Sequence, residues 1–75
     1  MRPLVEFIAR SLVDRPEAVR VVQRDAGRTI VLQLSVAPED AGKVIGREGR
    51  VAKAIRVLLR VTAHRQRRRA ILEIA

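Results

Sequence analysis

Apolar residues near the start of the chain recur with the spacing of one helical face: Leu4, Ile8 and Leu12, with Val5 beside them. Pro3 suits the first turn of such a helix, where its missing N–H costs nothing. The helix is expected to run through about Val13 and to end at Asp14-Arg15-Pro16, because a residue preceding proline avoids the helical region. The period then changes. Val19 to Arg24 is short and β-branched, Asp25-Ala26-Gly27-Arg28 has turn chemistry, and Thr29 to Val36 alternates with Ile30, Leu32, Leu34 and Val36 on one side. This pattern predicts a hairpin whose second strand has one face in the core.

Pro38, Glu39 and Asp40 have the composition of a helix start, with proline early and acids in the first turn. That short helix ends at a glycine loop, and a second helix follows from about Arg50 to His64. On the second helix Val51, Ile55, Leu58 and Thr62 share one face, and Arg50, Lys53, Arg56 and Arg60 gather on another. After a basic stretch from His64 to Arg69, Ala70 to Ala75 reads as a final apolar strand. The predicted order is α-β-β-α-α-β.

Charge adds to this picture through its distribution. The 75 residues carry a net charge of +8, yet Lys43 to Arg69 alone is +9, with Glu48 its only acid. A field so confined points to a polyanionic partner. There is no cysteine for a disulfide or thiolate metal site and a single histidine, His64, which reads as a solvated side chain favouring a helix C-terminus. No nucleophile is paired with a base, no metal ligand set or cofactor motif is present, and no run reaches the roughly 20 apolar residues that span a bilayer. A small non-catalytic protein of the cytoplasm, acting away from membranes, is expected.

The densest chemical signal is Lys43-Val44-Ile45-Gly46-Arg47-Glu48-Gly49-Arg50. Main-chain N–H groups bind a phosphate oxygen only if the chain comes close to it, and glycine removes the side chain that would block that approach while tolerating positive φ. The helix opening near Arg50 offers unpartnered N–H groups and a dipole that favours an anion. Taken alone, two glycines three apart favour a helix C-cap at Gly46 followed by an ordinary turn; the context of the whole run from Glu39 to Arg50 turns the reading to a phosphate clamp.

The run from Glu39 to Arg50 resembles the signature of KH domains, and its placement in so short a chain is similar to bacterial single-KH-domain RNA-binding proteins of the KhpA type. The resemblance spans nearly the whole chain and implies the type II KH fold: an α+β domain formed by residues 1–75, with a three-stranded mixed sheet covered on one face by three helices. It also implies that a single strand of RNA is gripped by its backbone over about four nucleotides. Carried over to this chain, Gly46 and Gly49 form the loop, Arg47 and Glu48 its exposed tip, Val44 and Ile45 an apolar floor, and Lys43, Arg50 and Lys53 its electrostatic flanks. Arg65, Arg67, Arg68 and Arg69 are auxiliary basic residues. Phe7 is the only aromatic residue, which argues against surfaces that stack bases on rings.

Two departures from the family pattern bear on the site. Glu48 puts an anion at the tip, and Ala52 stands where a bulky aliphatic residue is common, so modest affinity and weak sequence preference are expected. DNA stays open as a ligand, because no contact to a 2′-hydroxyl is identifiable. RNA chaperoning or post-transcriptional regulation is what the resemblance implies. The alternative is a subunit whose main work is pairing, as a homodimer or with another KH protein, through Ala52, Arg56 and Leu59 at the edge of the second helix.

Overall fold

The computed structural model describes residues 1–75. Helix α1 spans Arg2–Leu12, strand β1 Arg20–Ala26, strand β2 Thr29–Ser35, helix α2 Ala41–Ile45, helix α3 Arg50–Arg65 and strand β3 Arg69–Ile74. Short 3-10 turns at Pro16–Ala18 and Pro38–Asp40 precede β1 and α2. The predicted element order holds, and the architecture is the α+β arrangement of a type II KH domain.

β2 is the central strand, antiparallel to β1 and parallel to β3. The hairpin sets the first pairing, with Ala26 opposite Thr29 and Arg20 opposite Ser35. Parallel pairing needs a long crossover, which the two helices between β2 and β3 supply. As the alternation predicts, Ile30, Leu32 and Leu34 are buried together, joined by Leu72 of β3. Val5 and Ala9 of α1, Val19, Val44 of α2, and Ile55 and Leu59 of α3 complete this core. On α1 the buried line runs through Val5 and Ala9; Leu4 and Ile8 flank it, and Leu12 is largely in solvent.

The packing face of α3 differs from the one the periodicity suggested. Ala52, Ile55, Leu59 and Ala63 are buried, whereas Leu58 is 49% exposed and Thr62 only half-buried. The expected face is rotated from the true one by less than a quarter turn. The small side chains of Ala52 and Ala63 at the two ends of the buried line bring the helix axis close to the sheet. Ala52 and Leu59, at 3% and 1% exposure, are therefore core residues and are not available to a second chain. Arg56 is half-buried, its guanidinium donating to the Leu72 carbonyl on β3. α3 also extends to Arg65 and β3 begins at Arg69, which shortens the basic connection to Gln66, Arg67 and Arg68.

Candidate functional site

The glycine loop joins α2 to α3, and its two glycines meet different demands. At Gly46, φ is +77° and ψ 171°, and a Cβ would lie 2.5 Å from Val51 Cγ2 and 2.9 Å from the Val51 amide nitrogen. Only glycine lets α3 turn back this closely over the end of α2. Gly49 has φ +73°, yet a Cβ there would meet nothing within 4 Å. Its side is open. Glu48 between them also has positive φ, at 58°. The tip is thus folded back by three left-handed or glycine-type conformations in four residues, with the Gly49 N–H donating to the Gly46 carbonyl.

α3 starts directly from this turn and no side chain caps it. The Gly49 and Arg50 N–H groups already donate to the Gly46 and Arg47 carbonyls, so what this end offers an anion is chiefly the positive end of a 16-residue helix. Arg47 and Lys53 are exposed and unpaired beside this end. Arg50 is shared with Glu48, 3.8 Å away, so the tip acid offsets one of the flanking cations. Ile45 is 40% exposed and offers an apolar surface next to the loop, whereas Val44 is fully buried in the core. The expected floor therefore shrinks to Ile45, because the alternate side of a helix as short as α2 must pack inward.

Lys43 has another task. Its ammonium binds the carboxylates of Asp14 and Asp40. Asp40 is the only buried charged residue, and its carboxylate also accepts the main-chain N–H of Asp14 at 3.2 Å and of Arg15 at 3.0 Å. Burial pushes the Asp40 carboxyl up, but these two N–H groups and Lys43 outweigh it and hold it below its ordinary value. Asp14, foremost, raises Lys43 above the usual lysine range. Arg15 and Glu39 bridge the same gap at 3.1 Å. The network ties the turn after α1 to the start of α2 and so fixes the short helix that carries the loop. Nothing local in the sequence marks it, since Asp14 and Asp40 are 26 residues apart.

The arginines beyond α3 also divide. Arg68 bonds the Gly27 carbonyl at 3.3 Å and pairs with Asp25 at 3.5 Å, stitching the connection to the β1–β2 turn. Arg67 sits at φ 55° as the left-handed residue that closes the helix, with its N–H on the His64 carbonyl and that of Arg68 on Ala63. Arg65 and Arg69 are exposed. The structure thus brings Gly46, Arg47, Glu48, Gly49, Arg50, Lys53 and Ile45 together at one end of α3, and places the auxiliary arginines at the other.

The family model for the KH domain of KhpA and KhpB matches residues 2–74. The chain belongs to the KhpA/KhpB family of KH domains. It is 49% identical over 74 residues to the RNA-binding protein KhpA of Clostridium acetobutylicum, with 99% of each chain covered. To the RNA-binding protein KhpA of Halalkalibacterium halodurans it is 50% identical over 74 residues, covering 99% of this chain and 97% of the relative. To that of Treponema pallidum it is 51% identical over 71 residues, covering 95% and 89%. No solved structure gives a match.

Proposed function

We propose that residues 1–75 act as one KH domain, a non-catalytic module that holds single-stranded RNA by its backbone and works in the cytoplasm as an RNA chaperone or post-transcriptional regulator. The observation that carries this reading is the open, uncapped start of α3 beside Gly49, flanked by unpaired Arg47 and Lys53. A phosphate seated there meets the positive end of the α3 dipole and is held by the two cations, while Ile45 touches a sugar or base. With Ala52 buried and a single apolar contact left, bases are read weakly. Family membership and the printed names of the relatives support RNA as the ligand. Fluorescence anisotropy with single-stranded RNA, single-stranded DNA, duplex RNA and anionic vesicles tests the reading. Binding to the RNA single strand above the duplex and the vesicles is expected; equal or stronger binding to vesicles would overturn it.

Self-association keeps a specific observation in its favour, on a different face from the one expected. Ala54, Val57, Leu58 and Val61 follow helical spacing and lie in solvent, with Val57 and Val61 each 52% exposed. We infer that this stripe pairs with the same stripe of a second copy about a two-fold axis, which sets apolar surface against apolar surface. Leu58→Glu then gives a folded monomer in sedimentation. A native chain that sediments as a monomer at high concentration would refute the pairing, and mixed pairs with another KH chain would reassign the face.

A further inference from the structure

At the end of α3 remote from the glycine loop, Arg60, His64 and Arg65 of the helix and Arg68 and Arg69 after it surround an open hollow of about 730 Å³, with Val61 contributing to its wall. No acidic side chain lines it. Arg68 is engaged with Asp25 and the Gly27 carbonyl, so it forms the fixed wall, while Arg60, Arg65 and Arg69 are exposed cations. Cations at a helix C-terminus often serve its last carbonyls. Here main-chain groups do that work: the Ala63 carbonyl accepts from Gln66 and Arg68, and that of His64 from Arg67. The guanidinium groups of Arg60 and Arg65 on the helix and of Arg69 at the start of β3 are left over around the hollow.

We propose that this hollow is a second phosphate-binding site, which takes backbone phosphates of the same RNA strand that the glycine loop holds. The proposal rests on the RNA reading given above and extends it along the helix. Arg50 and His64 are 14 residues apart, about 21 Å along the α3 axis at the helical rise. A strand gripped at the loop over about four nucleotides continues toward the hollow. Guanidinium groups match phosphate oxygens in paired hydrogen bonds, so three exposed arginines around one hollow suit a backbone rather than a base.

The test is a length series of uridine oligonucleotides by anisotropy. It uses the native chain, the triple variant Arg60→Gln, Arg65→Gln, Arg69→Gln, and the corresponding triple Arg→Lys variant, each checked by thermal melting. For the native chain an octanucleotide should bind about tenfold or more tighter than a tetranucleotide, beyond the gain from extra registers, and its salt slope should steepen by about 0.7 for each added phosphate contact. The glutamine variant should lose most of that gain, with tetranucleotide affinity falling no more than about twofold, and the lysine variant should recover part of it. Native length dependence in the glutamine variant, or equal losses for both lengths, would overturn the proposal. An octanucleotide that needs the three arginines but is indifferent to changes at Arg47 and Glu48 would support the hollow while refuting the loop reading.

Discussion

The two ends of α3 both carry basic side chains but present different chemistry. At the N-terminal end the backbone is the working part: positive φ at Gly46, Glu48 and Gly49 folds the tip back, no side chain caps the helix, and the positive end of the helix dipole faces outward. At the C-terminal end the backbone is closed on itself through Ala63 and His64, and only side chains face outward. Charge alone does not distinguish the two ends. The path of the main chain does.

The largest expected effect tests whether the N-terminal end depends on its backbone. Gly46→Ala forces a Cβ against Val51 and into a region only glycine enters readily, at a cost of about 3 kcal/mol. At about 4–8 °C per kcal/mol, the melting midpoint should fall by at least roughly 10 °C. Gly49→Ala meets no atom and pays only for its left-handed φ, about 1 kcal/mol, so its damage should appear mainly in RNA affinity. Equal melting losses for the two variants would erase the distinction between a packing glycine and an open one.

Acid titration probes the support beneath the loop. Asp40 is held below its ordinary carboxylate value of 3.8, so its contribution to stability is present above that pH and is lost as pH falls through the lower folded value. Urea midpoints should drop on acidification below about pH 4, and Asp40→Asn should be less stable at neutral pH with a shallower acid limb. An unchanged acid limb would remove Asp40 from the account. At the other end of α3, Arg67→Gly relieves a left-handed non-glycine residue and should raise stability by about 1 kcal/mol, with a small loss of RNA affinity from the missing charge. A fall in melting temperature there would contradict the closed-turn description.

Salt separates binding from pairing. RNA affinity should decline with log salt at a slope of roughly −2 to −3.5 for three to five phosphate contacts. Pairing through Ala54, Val57, Leu58 and Val61 brings two α3 helices together, and each carries Arg50, Lys53, Arg56, Arg60 and Arg65 with no acid, so salt should strengthen it. A dimer that weakens with salt would point to a partner surface other than the same face.

Much of this was legible in the chain itself. β2 declared its inward face by strict alternation, and the glycine spacing located the loop because those positions answer to local backbone geometry. The face of α3 was not legible. Its sequence has apolar residues at Ala52, Ile55, Leu59 and Ala63 and again at Ala54, Val57, Leu58 and Val61, and a period cannot say which arc the sheet will cover. That choice depends on how close the helix must come to β2 and β3. The same limit hid the core position of Val44 and the task of Lys43, whose partner Asp14 is 29 residues earlier and meets it only after α1 has packed. The separate duties of Gly46 and Gly49 were hidden for a related reason, since the obstacle to a side chain at Gly46 is Val51 of the following helix.

The central claim is that the tip of the glycine loop meets RNA phosphate, and it is tested most directly by replacing Arg47 and Glu48 together with Asp and measuring RNA affinity on a chain whose circular dichroism and melting are unchanged. Both side chains are exposed and both glycines remain, so the fold should hold. The substitution reverses one charge beside the bound phosphate, a change of two units, and at roughly 1 kcal/mol per unit charge at contact distance in water the affinity should fall about thirtyfold. Native affinity in that variant would show that the strand is held elsewhere.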